Sequence, residues 1–341
     1  MTTRAGRGHV GGRQAGLSLV ELMVALVAGM LVVATVTALA INTSRTQDEL
    51  SKSSRQVENA RYALQVLNDE VRHAGFYGRF SNKSTPSSLP DLCDYDTASA
   101  VDGHFEAEEF DFLSIAVHAF DNASVPGCIA NNIDQADDTD VLVVRRFSDV
   151  GDGWPLYVQS TPRRIAPVSS PGDSVITEPT GDDAPVHRYR TDVYYVAPSN
   201  SPSEVCGGES GPSADIPTLM RLRYDGSSGW CGEPLAEGIE RIHFDLGVDY
   251  SGDGVPNDSS SGADDAYVRT PEELDQLANV VAVRVHVLAR TDEPTPGHED
   301  VAEYVLASDG SVTAGPFEDE YRRRVFATTV RLTNPAGRRE E

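Results

Sequence analysis

The sequence predicts an α+β fold in which a long N-terminal helix packs on a head built from a mostly antiparallel β-sheet. Two patterns carry this. The first is a proline-free stretch, residues 1 to 85, whose periodicity is helical from Leu17 to His73. The second is a set of strand-like runs, rich in β-branched and aromatic residues and separated by Gly/Pro/Ser/Asp loops, over the rest of the chain.

The helix has two halves of different chemistry. Leu17 to Ile41 is apolar except for Glu21, and no further charge appears before Arg45. Such a run is long enough to span a bilayer, which needs about 20 apolar residues. Arg4, Arg7 and Arg13 precede it, so the positive-inside rule puts the first residues in the cytoplasm and the remainder outside. From Ser44 the polarity rises, yet Val57, Ala60, Leu64, Leu67, Val71 and Ala74 still recur at three- and four-residue steps. Arg55, Glu58, Arg61, Asp69, Glu70 and Arg72 form the wet face opposite. One helix over these residues is about 85 Å long at about 1.5 Å per residue. Gly75 and Gly78 are its stop signals, and Gly29 is the one weak point in its apolar half.

The strand expectations are Phe110 to Val117, Asp140 to Phe147, Tyr189 to Val196, Leu219 to Tyr224, Ile239 to Leu246, Val280 to Ala289 and Tyr321 to Leu332. In the run at 282–288, Val283, Val285 and Val287 share one face while Arg284 and His286 take the other. Thr270, followed by Pro271, Glu272 and Glu273, reads as the N-cap of a short helix.

The chain has 53 acidic and 28 basic residues, a net charge of −25. That balance repels nucleic acid, and no basic run offsets it. Four cysteines, Cys93, Cys128, Cys206 and Cys231, lie on the outer side of the apolar segment, where an even count reads as two disulfides. Three pairings exist. The sequential one, Cys93 with Cys128 and Cys206 with Cys231, is expected because each pair brackets a loop-rich stretch. No CxxC spacing points to zinc or to thiol redox chemistry.

A cation loop is the one metal candidate. Asp249, Ser251, Asp253 and Val255 fall at the ligand spacing of an EF-hand-like loop, with Asp258 as a further oxygen donor, although position 12 is Ser260 and not glutamate. Catalytic patterns are absent: the histidines have no HExxH spacing, and Gly172-Asp173-Ser174 lacks the nucleophile elbow of a hydrolase. The expectation is a protein that is not an enzyme and needs no cofactor, calcium apart.

Glu21 carries the most information, because an isolated charge costs several kcal/mol in hydrocarbon. A carboxylate there calls for a partner amine. Two plainer readings are an uncleaved anchor and a signal peptide ending at Ala38-Leu39-Ala40. The basic leader, Gly16, Leu17 and Glu21 together resemble the class III signal of type IV pilins and of type II secretion pseudopilins. The resemblance implies cleavage after Gly16 by a prepilin peptidase, N-methylation of Leu17 as the new N-terminus, and a role for Glu21 in neutralising a neighbouring subunit's amine during assembly. Leu17 stands where phenylalanine is commoner.

A narrower resemblance is to PilW-type minor pilins. It rests on Arg61 to Leu64, Leu67, Asp69 to Arg72 and Ala74 to Gly78 at the stem-to-head junction. It rests also on Asp140 to Arg145, Val193 to Val196, Gly238 to Glu240, Val280 to Arg284 and Arg323 to Leu332. The implied organisation is a cytoplasmic leader (1–16), a transmembrane or filament-core half-helix (17–43) and an amphipathic half-helix (44–78). An extracytoplasmic head (79–334) and a polar tail (335–341) follow. The implied partners are the peptidase, other minor and major pilins, an inner-membrane assembly platform and a tip adhesin. The implied role is pilus assembly supporting motility and adhesion, at the inner membrane and then at the cell surface. Loss of Arg4, Arg7 and Arg13 with the leader takes the net charge from −25 to −28. J-type pseudopilins share the architecture with shorter heads. A membrane-anchored extracytoplasmic binding domain is the reading from a different class.

Overall fold

The computed structural model describes Gly16 and residues 18–81, 86, 89, 113–149, 157–201, 206, 214–224, 229–256, 266–271 and 273–339. Two compact units divide the chain, Met1–Ser51 and Lys52–Glu341. Helix α1 (Leu19–His73) is unbroken. Along it the hydroxyls of Thr35, Thr43 and Thr46 donate to the carbonyls of Val32, Leu39 and Asn42.

Within the second unit, α1 buries Gln56, Ala60, Ala63, Leu67 and Val71. The stripe is rotated slightly from the expected one, for Val57 and Leu64 are only half-buried. Small Ala60 and Ala63 allow the close approach to the sheets. Gln56 is buried because its amide donates to the carbonyls of Ala289 (2.7 Å) and Arg322 (3.0 Å). The helix stops where Gly75 adopts a φ of +70°. Its final carbonyls are then capped from far along the chain, by Asn334 on Ala74 (3.1 Å) and Arg338 on Gly75 (3.0 Å).

The first sheet contains β1 (Val117–Phe120), β2 (Val141–Ser148), β3 (Tyr157–Ser160), β4 (Ile165–Val168), β5 (Val186–Ala197), β6 (Thr218–Tyr224) and β7 (Trp230–Glu237). All its pairings are antiparallel, in the path β1-β2-β5-β3-β4, with β6 paired to β5 and β7 to β6. Arg188 pairs with both Ser148 and Tyr157, and Asp192 with both Val144 and Arg223, so β3 and β6 share one edge of β5 and β2 takes the other. The second sheet has the order β13-β10-β8-β9, from β8 (Ile239–Val248), β9 (Ala266–Val268), β10 (Val280–Arg290) and β13 (Arg323–Arg331). A hairpin of β11 (Tyr304–Val305) and β12 (Thr313–Ala314) follows β10. Three short helices, α2 (Gly127–Ala130), α3 (Leu274–Ala278) and α4 (Thr333–Arg339), complete the described elements.

One core joins α1 to both sheets, through Leu142, Val144, Tyr194, Phe244, Val283, Val285 and Val330 among others. A second core lies on the opposite face of the first sheet, where Val141, Val143, Val193 and Tyr195 meet Ile129 of α2. Strand β2 is buried on both faces, which is why it reads as a continuous apolar run and not as an alternation.

Several expectations need correction. The strand expected over Phe110 to Val117 lies further along, at Val117–Phe120, because its partner β2 begins at Val141, which pairs with Phe120; residues 110–112 lie outside the described set. Thr270 is not a helix cap, since α3 starts at Leu274 with Glu273 as N-cap. Strand β10 is not half-buried: His286 is 7% exposed because β11–β12 and its turn cover the polar face. Residues expected as a polar tail contribute most of α4, which buries Ala336. Pro335 sits in the first turn of α4, where a missing N–H costs nothing. Strands β3, β4, β7, β9, β11 and β12 were not foreseen.

Candidate assembly segment

The first turn of α1 brings Ser18 and Glu21 together. The Leu22 N–H bonds to the Ser18 carbonyl at 3.1 Å, and the Ser18 N–H faces Glu21 Oε2 at 3.4 Å. A carboxylate in the first turn interacts favourably with the unpaired N–H groups and with the positive end of the helix dipole. Gly16 is exposed; Leu17 lies outside the described residues. From Leu19 through Ile41 every large apolar side chain is exposed, Leu19 at 73% and Met30 at 70%. The helix is long and apolar enough to cross a membrane, and no part of that apolar window is buried within the chain. An uncovered apolar surface of this extent marks a lipid or protein contact.

The remaining candidates sit in the second unit. Cys206 and Cys231 form a disulfide, as the sequential pairing expected. Cys128 is also disulfide-bonded, and Cys93 lies outside the described residues.

At the cation loop, the Asp249 carboxylate is fully buried and accepts bonds from the Ser251 hydroxyl (3.0 Å) and the N–H groups of Gly252 (2.7 Å) and Gly254 (2.8 Å). Asp253 accepts from the Val255 N–H at 2.8 Å. A cation held by Asp249 would have to share oxygens that the turn already uses. Asp258 lies outside the described residues, and no group of three ligating side chains occurs among the described ones.

Two polar clusters escaped sequence reasoning. In the first, Asp245 of β8, whose register partner is Arg284, reaches diagonally to His286 of β10, with Asp245 Oδ2 and His286 Nε2 3.1 Å apart. The same Oδ2 accepts the Ser308 hydroxyl and the Ser308 N–H (3.0 Å). Burial raises the Asp245 pKa, but the bonds from His286 and Ser308 outweigh it and hold the carboxyl below the usual range. Ser, His and Asp are present, yet no hydrolytic relay exists. A relay needs the imidazole between the other two, using both ring nitrogens, whereas here a single carboxylate oxygen takes both partners. The cluster pins the turn after β11 to the sheet. Ser174 donates to Asp183 at 2.5 Å in an exposed turn, with no histidine beside it among the described residues.

In the second cluster the Arg323 side chain, 1% exposed, meets Glu240 (2.9 Å), Asp300 (2.9 Å) and Asp319 (2.6 Å) and lies 3.7 Å over the Phe317 ring. Burial lowers the Arg323 pKa, but these carboxylates more than reverse it and push it up. No spacing rule links these four positions, so the sequence held no signal for them.

Residues 193–334, from β5 into α4, match the family model described as type IV pilus-assembly protein W. No curated protein matches. Among solved structures, a type IV-like pilin from Thermus thermophilus is similar at 11% identity and a TM-score of 0.37. The likeness covers 82% of this chain and 97% of that one, and the fold assigned here rests on the elements above without it. The family match takes in Arg323 and its carboxylates, Asp245, His286 and the Cys206–Cys231 bridge, and it leaves out α1. This chain is an α+β protein with a long apolar-to-amphipathic N-terminal helix, and over residues 193–334 it is similar to the type IV pilus-assembly protein W family.

Proposed function

We propose that this chain is a minor pilin that primes or caps a type IV pilus, and so supports pilus biogenesis, surface motility and adhesion. The observation that carries the reading is Glu21. It is the only charged side chain between Arg13 and Arg45, it sits at the start of an unbroken helix, and its apolar neighbours have no cover within the chain. The PilW-like strands support the pilus assignment.

In this reading a prepilin peptidase cuts between Gly16 and Leu17 and methylates the new amine. The helix then anchors the subunit in the inner membrane with the head in the periplasm. On assembly, Glu21 pairs with the amine of a neighbouring pilin, so that each buried charge is matched. Apolar helices pack side by side, and the heads face outward. The inner-membrane platform, the other minor and major pilins and a tip adhesin are the partners. A calcium ion at Asp249 and Asp253 is a separate element of the proposal. A calcium titration followed by thermal melting tests it: a melting temperature that calcium raises supports the site, and one that calcium leaves unmoved rejects it.

Glu21→Ala tests the assembly step. The variant should still be cleaved and should remain in the membrane fraction, but should be missing from sheared pili. Normal incorporation would sink the mechanism. Co-purification with secretion components in place of pilus components would move the chain to the J-type pseudopilins.

A further inference from the structure

The second sheet ends on an open edge. Strand β13 is nine residues long and, among the described residues, pairs only with β10, in an unbroken register along its whole length. Just beyond its two ends, the Leu332 N–H donates to the Val281 carbonyl (2.8 Å) and the Thr291 N–H to the Arg322 carbonyl (3.0 Å). In an antiparallel ladder, residues that exchange such bonds alternate with residues whose N–H and C=O point away from the partner. Because Arg322 and Leu332 are both even-numbered and the register has no shift, the even-numbered residues of β13 bond to β10 and the odd-numbered ones face outward. Val325, Ala327 and Thr329 therefore present a row of main-chain donors and acceptors at the sheet edge. None of those groups has a backbone bond among the described residues. The β11–β12 hairpin, which covers the polar face of β10, is a separate sheet and makes no ladder with β13.

An edge of this kind is ordinarily blunted by proline, by a bulge, by shortness or by charges along it. Strand β13 has no proline and no bulge, and it is longer than the mean strand of about 5–6 residues. Its centre, Val325-Phe326-Ala327-Thr328-Thr329-Val330, is uncharged and rich in β-branched residues. Charge is confined to the ends, at Arg323, Arg324 and Arg331, and the strand contains no acidic residue. Arg323 is already held by its carboxylates, and Arg331 reaches the Gly254 carbonyl at 3.4 Å. Arg324, Ala327, Thr329 and Arg331 are all exposed, so the outward row is reachable from solvent.

We propose that β13 is a docking edge for an extended, acidic-ended segment of a partner polypeptide, which adds a strand to the second sheet. Alternating main-chain donors and acceptors recognise another extended backbone, and the partner's side chains then set the specificity. A second copy of this strand fits less well. Antiparallel self-pairing brings the arginine ends of two copies together, and like charges across a strand pair are destabilising. Glutamate or aspartate at the ends of the partner strand turns the same positions into attraction. The edge lies within the second unit and requires nothing of Glu21, so it stands or falls apart from the proposed assembly step.

The test uses the full chain in neutral detergent micelles and a fluorescein-labelled nine-residue peptide, read by anisotropy. The peptide alternates threonine and valine, with glutamate at both ends. Wild type binds it, and amide exchange over residues 324–331, followed by mass spectrometry, slows on binding. Ala327→Pro removes an N–H that faces the open edge and no bond to β10, a position where sheets accept proline. It should weaken binding by roughly tenfold or more, with the thermal melt unchanged. Ala327→Ser keeps the N–H and should bind as wild type does. A peptide N-methylated at its two adjacent central residues can pair through neither of its edges. Wild type should bind it roughly tenfold more weakly, and this arm needs no variant to fold. No binding by wild type, full binding by Ala327→Pro, or equal binding of the N-methylated peptide would overturn the proposal. So would equal binding of a peptide with lysine in place of glutamate, since the ends would then select nothing. Outward amides already protected in the free chain would place another part of this chain on the edge, and a wild-type dimer that Ala327→Pro loses would place a second copy there; either overturns it.

Discussion

Replacing Gly75 by alanine should destabilise the second unit by about 2–4 kcal/mol, through two costs that can be measured apart. The backbone cost comes from φ = +70°, where an L side chain crowds its own carbonyl at roughly 1–2 kcal/mol. The packing cost comes from what the new methyl meets: Ala116 Cβ at 3.0 Å and Pro335 Cγ and Cδ at 3.0 and 3.1 Å. Overpacking of this kind costs typically about 1–3 kcal/mol. Neither neighbour is free to withdraw, since Ala116 precedes β1 and its carbonyl accepts the Arg145 N–H, and Pro335 lies in α4. Gly310→Ala isolates the first cost, because its φ is +76° and a methyl there meets nothing within 4 Å. Urea unfolding of the full chain in micelles, followed by tryptophan fluorescence, reads both. With a slope near ~3 kcal/mol per molar, Gly75→Ala moves the midpoint down by about 1 M and Gly310→Ala by less than half of that. Equal midpoints for the two variants would refute the packing of the helix terminus against Ala116 and Pro335.

Burial, with a smaller push from Arg145, lowers the His118 pKa from 6.5 to about 3. The unfolded chain therefore takes up the proton first, and stability present above pH 6.5 is lost as pH falls towards 3, by up to about 1.4 kcal/mol per pH unit. His118→Gln should remove one proton's worth of slope between pH 6 and 4.5 in urea midpoints; an unchanged slope would refute that burial. Arg323→Leu leaves Glu240, Asp300 and Asp319 without their shared cation and should cost about 3 kcal/mol or more, whereas a loss under ~1 kcal/mol in the same assay would contradict the ion cluster. Replacing both Cys206 and Cys231 by serine opens a loop of 25 residues and should cost about 3 kcal/mol. Wild type treated with a reductant should unfold at a lower urea concentration than that double variant, because the Cys128 disulfide opens as well; equal midpoints would contradict a stabilising role for the Cys128 bridge.

What the sequence made legible follows the range of the interactions involved. Helix α1 was readable because its signals are local: an apolar run, a 3.6-residue stripe, no proline, then Gly75. Strands β2, β5, β6, β8, β10 and β13 were readable because valine, tyrosine and leucine runs mark sheets buried on one or both faces. Strands β3 and β4 were not, being four residues each with Pro167 and Gln159 among them, β3 held by its pairing with β5 and β4 by its pairing with β3. The exact stripe on α1 was missed by one position because Gln56 is buried by carbonyls of Ala289 and Arg322, more than 230 residues away. At the assembly segment the residue types were legible, since Glu21 stands alone in an apolar helix. The Arg323 cluster was invisible, because it is assembled by the pairing of strands far apart in the chain.

The central claim is that Glu21 pairs with an amine made by proteolysis, and the mature N-terminus tests it most directly. Mass spectrometry of the protein purified from membranes should find N-methyl-Leu17 as the first residue, with Met1 to Gly16 gone. An intact leader would make α1 a plain anchor, and a chain beginning at Ile41 would make it a secretory signal. Either result would contradict the account, because the chain would then lack the amine that Glu21 is proposed to meet.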